Sequence, residues 1–333
     1  MKEKNKGFTL VELLAVIVIL ALIALIATPI ILNVINDAKK QAAKDSAYGY
    51  MDAVEKYIVS SELEDKSIND GRYSVEELNK KISVKGSTPD NGNIEIKNSS
   101  VKSYDIGIDG YYITKDEVKK VSTTKSFKNG TAVYYNPVSG EKCKSSEAVS
   151  TTGIKNGCMK WYVFNDKEGN ATVNVILDHN TTANVAWNST GSNSEMKEVK
   201  IKLEEDTKDW ENTARLITAN EVAKITGYTG WNANKENQPW FCLDTNQSDT
   251  TNWCSKAQGT SKYTWLFDYT NNCTNYGCNV SDSSNYGYWT NTPYKDNSIS
   301  AWHVDRNGYL SNGGVTNAGF GIRPVITISK SNV

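Results

Sequence analysis

The residue whose placement most asks for a chemical role is Glu12, a carboxylate inside the apolar run FTLVELLAVIVILALIALIATPIIL. An acidic side chain at such depth costs a few kcal/mol and ordinarily marks function. The other reactive side chains lie far downstream. Six cysteines, Cys143, Cys158, Cys242, Cys254, Cys273 and Cys278, all follow residue 140. An even number in an exported polar segment points to disulfides rather than nucleophiles. A zinc site fits poorly, because Cys273 and Cys278 have four residues between them and His179 and His303 are the only histidines. Acidic residues at 244, 249, 268, 282, 296 and 305 are scattered without the spacing of a calcium loop. No serine stands in a GxSxG context. The sequence therefore predicts no catalytic residue, no cofactor and no metal, and a structural or adhesive protein rather than an enzyme.

The elements that position these residues begin with the amino terminus. MKEKNKG carries Lys2, Lys4 and Lys6 ahead of the apolar run. Positive charge there holds this end in the cytoplasm and directs the other outward. Phe8 to Leu32 is 25 residues, which as a helix is roughly 37 Å, enough for a ~30 Å hydrocarbon core. The run passes straight into the amphipathic stretch INDAKKQAAKDSAYGYMDAVEKYIVSSELE, so it reads as a retained single-pass span rather than a discarded signal peptide. Net charge is −1, and removing residues 1–7 takes away three Lys and one Glu, leaving −3. Without a basic patch, nucleic acid is not expected as a partner.

The string KGFTLVELL resembles the leader junction of type IV pilins and pseudopilins, with Gly7 ending the leader, Phe8 opening the mature chain and Glu12 at its fifth position. The resemblance implies cleavage between Gly7 and Phe8 by a prepilin peptidase and N-methylation of Phe8. It further implies that Glu12 neutralises the terminal amine of a neighbouring pilin subunit, so that register becomes the condition for charge balance in a low-dielectric bundle. Pro29 adds to the likeness as a helix-weakening residue within the span. The implied fold is one long helix against a small antiparallel sheet, and the implied location is the plasma membrane first, then a cell-surface filament.

Local patterns agree with an α+β protein. A helix is predicted from Phe8 to about Ser60, and a short one over Val75–Ile82 with Ser74 and Glu77 at capping-box spacing. IEIKN, VKSYDIGI and GYYITKDE read as strands separated by Asn and Gly turns. This gives a leader over 1–7, a pilin-like module over 8–124 and a larger, loop-rich, disulfide-braced α+β head over 125–333. In the head TAVYYNP, KWYVFND, ATVNVILD, GYWTNT, SAWHVD and FGIRPVITIS read as strands, and ITANEVAKITG as a helix stopped by Gly227. The endings YWTNTP, AWHVDRNG and FGIRPVITIS resemble a domain of bacterial surface proteins of unassigned function, with a C-type-lectin-like arrangement.

Sequential pairing of the cysteines, 143 with 158, 242 with 254 and 273 with 278, would close three short loops, although six cysteines permit fifteen connectivities. All nine tryptophans fall in the head; Trp161, Trp265, Trp289 and Trp302 sit in strand-like runs and read as core, whereas Trp231, Trp240 and Trp253 lie among loop residues as a candidate partner surface. The leading expectation is a minor or tip pilin displaying its head for adhesion to a host or glycan receptor. The rivals are a pseudopilin of a type II secretion or DNA-uptake machine, and a membrane-anchored glycan-binding protein or enzyme.

Overall fold

The computed structural model describes residues 10–64, 68–121, 126–149, 155–232, 240–243, 262–267, 287–306 and 308–333. Helix α1 spans Leu10–Leu63. In its second half Ala43, Ala47, Tyr50, Met51, Val54, Ile58 and Ser61 are buried, a spacing of three and four that lines one face of a helix. They pack on strands β1 (Gly71–Ser74), β2 (Asn91–Lys97), β3 (Ser100–Ile108), β4 (Tyr111–Thr114) and β5 (Val118–Lys120), hydrogen-bonded in that order. Antiparallel pairing places Ile94, Ile96, Tyr104, Ile106, Ile108 and Ile113 under the helix.

The turns explain the register. Asn98 and Ser99 (φ 50° and 56°) join β2 to β3, and Asp109 and Gly110 (φ 49° and 81°) join β3 to β4, each a two-residue connection whose positive φ angles match the strand twist. Strand β4 ends where Thr114 Oγ1 accepts the N–H groups of Asp116 and Glu117, so the strand is shorter than the sequence pattern suggested. Helix α2 (Val75–Leu78) carries the expected capping box of Ser74 and Glu77. It stops four residues earlier than predicted, with its C-cap at Asn79, whose N–H still donates to the Val75 carbonyl and whose side-chain oxygen accepts the Tyr50 hydroxyl at 2.7 Å.

The head supplies, in chain order, β6 (Ala132–Asn136), β7 (Glu141–Lys142), β8 (Met159–Phe164), β9 (Thr172–Leu177), β10 (Thr182–Val185), α3 (Glu198–Asp206), β11 (Arg215–Leu216), α4 (Ala219–Thr226), β12 (Phe241–Cys242), α5 (Thr264–Phe267), β13 (Gly287–Pro293), β14 (Ser300–Asp305), β15 (Tyr309–Gly314), β16 (Phe320–Ile322) and β17 (Pro324–Ser329). Among the described residues they form two sheets, β11-β17-β9-β8-β6-β7 and β10-β16-β13-β14-β15-β12. Central strands are apolar on both faces because both faces are covered: Trp161 and Val163 of β8 enter one core, Tyr162 and Phe164 another. Gly227, in the left-handed region at φ 71°, ends α4 as expected. The terminal FGIRPVITIS, predicted as one strand, is divided between the two sheets. Its divider, the buried Arg323, donates to the carbonyls of Leu177, Trp265 and Leu266 at 2.5–2.7 Å.

The face of the first sheet turned away from α1 bears Asn93, Glu95, Ser103, Asp105 and Gly107, and the head covers it. Asp105 Oδ2 accepts Thr213 N–H at 3.0 Å and its Oδ1 accepts Asn93 N–H at 3.2 Å. Asn93 donates to Thr327 Oγ1 at 2.9 Å, and Thr327 donates to Asn174 at 2.9 Å. Arg215, 1% exposed, donates Nε to Asn93 at 2.6 Å and forms a two-pronged pair with Glu221 at 2.6 and 2.8 Å. Gly107 permits this approach, since a Cβ there would meet Thr172 Oγ1 at 2.9 Å.

Cys143 and Cys158 form a disulfide across a separation of 15 residues, tying the end of β7 to the start of β8. Cys242 is also disulfide-bonded, while Cys254, Cys273 and Cys278 lie outside the described residues. Closing a loop of that length stabilises by about 3 kcal/mol. A Cys143→Ser/Cys158→Ser double variant is expected to lose about that much in urea unfolding of the purified chain, and an unchanged midpoint would count against the brace. Arg215→Met should cost more, about 3–5 kcal/mol, because it strands the Glu221 carboxylate in the interior; Glu221→Gln, which keeps a hydrogen-bonding partner, should cost less.

Candidate functional site

Among the described residues α1 is the one helix long and apolar enough to cross a membrane, and none of its most apolar stretch is buried. Leu10, Leu25 and Ile26 are 82%, 73% and 68% exposed. The contrast within one continuous helix is therefore sharp. From Ala43 onward the helix is sealed on its own sheet, and from Leu10 to Ile35 it offers hydrocarbon on every side.

Glu12 lies in the first described turn of α1 and is exposed. Gly7 and Phe8 lie outside the described residues. Pro29 sits within an unbroken helix. It removes the N–H that would bond the carbonyl four residues back, and next to it Thr28 Oγ1 donates to the Ala24 carbonyl at 2.6 Å. A back-bonded threonine beside a proline makes this turn the most deformable point of the exposed half.

The tryptophans divide according to burial. Trp161, Trp187, Trp289 and Trp302 are essentially enclosed and Trp210 nearly so; Trp265 packs half-buried against the core. Of the loop tryptophans, Trp231 is half-buried, with its ring edge-on to Trp302 at 5.0 Å, so it is a rim residue of the core rather than a free surface group. Trp240 is 45% exposed and lies near-parallel to Tyr309 at 6.4 Å. Tyr228, stacked on Phe241 at 4.1 Å, extends the same aromatic cluster. Neither tyrosine had a signal in the sequence, since β15 and the end of α4 bring them here only on folding. Trp253 lies outside the described residues.

Both histidines are buried. His303 is enclosed beside Phe320, with ring centroids 3.9 Å apart, and burial pushes it down to about 3, so the ring is neutral. His179, wholly buried, has Nδ1 2.6 Å from Asp178 Oδ1. Asp305 is buried in β14, and Asp244, Asp249, Asp268 and Asp282 lie outside the described residues. Among the described residues no group of three His, Cys, Asp or Glu side chains could hold a metal ion.

Two family models match the chain. Residues 2–28 match the prokaryotic N-terminal methylation motif. Residues 161–330 match a domain of unknown function, DUF6273. No curated protein and no solved structure gives a match, so the lectin-like arrangement gains no parallel. The methylation motif implies processing by a prepilin peptidase, membrane anchoring and assembly with other pilins, and it speaks for a structural subunit rather than an enzyme. With DUF6273 covering more than half of its length and a prepilin motif at its start, the chain belongs to the DUF6273 family and is type IV pilin-like at its amino terminus.

Proposed function

We propose that the protein is a minor or tip subunit of a type IV pilus, built as an assembly module over residues 8–124 and an adhesive head over 125–333. The observation that carries this reading is the two-sided character of α1: one half is satisfied within the subunit, the other is apolar all round and needs neighbours or lipid. A cleaved leader would leave a cationic amine at Phe8. Glu12 is four residues further along, one helical turn and about 6 Å of rise, and it would meet the amine of an adjacent, staggered subunit. Each charge alone in hydrocarbon is penalised, and together they are tolerated, so correct stagger is selected by electrostatics. Pro29 would let the exposed half bend or stretch to follow the filament axis. The size of the head favours a sparsely used or terminal position over a bulk repeating one, with the exposed Trp240 as part of the surface presented to a receptor.

Mass spectrometry of sheared, purified filaments tests the assignment by reading the N-terminal residue and the abundance of this chain. A methylated Phe8 terminus at low stoichiometry supports it, and a chain still beginning at Met1 contradicts it. Glu12→Val should leave the leader cleaved and reduce incorporation into filaments at least tenfold, roughly the 1.4 kcal/mol equivalent of one lost charge contact; wild-type filament content would reject the proposed pairing. Gly7→Arg should act earlier, leaving full-length precursor in the membrane fraction on an immunoblot.

A further inference from the structure

Lys330 and Asp166 form a buried pair that neither the pilin reading nor the family uses. Lys330 follows β17, and Asp166 stands in the turn between β8 and β9. Their side chains are 1% and 0% exposed, and Lys330 Nζ lies 2.8 Å from Asp166 Oδ1. This is not an ordinary hydrogen-bonded salt bridge. Among the described residues Asp166 Oδ1 accepts no hydrogen bond despite that distance, while Nζ donates to the Lys167 carbonyl at 2.6 Å. The other carboxyl oxygen, Oδ2, accepts the Phe127 N–H at 2.8 Å, and the Lys330 backbone N–H is fixed on the Ala171 carbonyl at 3.0 Å. Nitrogen and carboxyl group are thus held in contact from both sides, dry, with the nitrogen off the usual hydrogen-bonding direction.

We propose that Lys330 and Asp166 condense to an intramolecular amide, a covalent cross-link between the last strand of the head and its β8–β9 turn. Two opposite charges withdrawn from water are costly, and condensation removes both, a proton passing from the ammonium to the carboxylate in the course of the step. The amine lone pair attacks Cγ, the C–N bond forms and the C–OH bond breaks. The amine proton leaves with that hydroxyl, so one water is the sole by-product and no oxidant or activating reagent is needed. Holding the reactants within van der Waals contact supplies an effective molarity that an intermolecular reaction lacks, and exclusion of solvent disfavours the reverse hydrolysis. Asp90 is near enough for the charge of Lys330 to act on its carboxyl. The link would join the place where the chain enters the head, at Phe127, to the strand where it ends, so that pulling on the head loads a covalent bond rather than a sheet edge.

The test is the intact mass of the full-length chain, purified in detergent with its cysteines reduced and alkylated, followed by proteolytic peptide mapping. The wild type is expected to be lighter than its sequence mass by one water, with the peptides bearing Asp166 and Lys330 recovered as one branched species. Lys330→Arg keeps the positive charge and the pair but lacks the amine, and it should show full sequence mass and separate peptides. Asp166→Asn should yield the same branched peptide with loss of ammonia instead. A wild-type chain of full mass, with the two residues in separate peptides, overturns the proposal, and that measurement stands whether or not either variant folds.

Discussion

The fold depends on a polar face buried between two sheets. Asn93 and Asp105 stand on the side of the first sheet that α1 leaves open, and Thr213, Arg215, Thr327 and Asn174 meet them from the head. Polar groups taken out of water without partners are costly, so a face of this kind is stable only where every donor finds its acceptor. The bonds made here favour one register, because sliding would leave Asn93, Asp105 and Arg215 without the partners they have. Burial holds the Asp105 carboxyl well above the usual carboxylate range, opposed by the N–H groups of Thr213 and Asn93 and by Arg215 and Arg72. Arg215 and Glu221 extend the network to the first turn of α4, where Glu221 also closes the capping box with Thr218.

Because of that junction, the anchor helix and the head are mechanically continuous. The second half of α1 packs on the inner face of the first sheet, the same strands bind the head with their outer face, and Gly107 lets the two backbones approach. Further contacts at the edge, from Arg72 to the Ala214 carbonyl and from Lys224 to Glu76, widen the joint beyond the buried centre. A force applied at the head therefore reaches α1 through two packed layers rather than through a tether. Among the described residues the exposed half of α1 is a continuous apolar surface, and its side chains define what must surround it.

The head owes its stability to strands covered on both sides. Alternate residues of β8, β9 and β17 enter different cores, so each of these strands works at two interfaces at once. Most tryptophans and both histidines are consumed in this packing, His303 lying against Phe320 and Trp289. Arg323 shows how a charge is accommodated at the point where one strand run changes sheets, with three carbonyls gathered around its guanidinium.

Local physics made several features legible in the residues alone. The apolar helix follows from a run too long for a signal core, the hairpins from Asn and Gly turns, α2 from Ser74/Glu77 at capping spacing and the end of α4 from Gly227, while Gly7, Phe8 and Glu12 carry the resemblance to pilins. All of these depend on neighbours within a few positions of each other. Other features depend on residues far apart in the chain, and no local pattern encodes them. Asp105 and Asn93 alternate with isoleucines as a solvent-facing strand edge would, and only docking of the head turns them inward. Strand β15 and helix α3 lacked a distinctive period, and Trp231 reads as a loop residue until Trp302 comes to lie beneath it. Nor does any spacing join Asp166 to Lys330. The sequence alone thus marked an apolar span, a prepilin-type motif at its start and a polar remainder; tertiary packing decided which polar groups are buried together, because desolvation acts on neighbours in space and not in the chain.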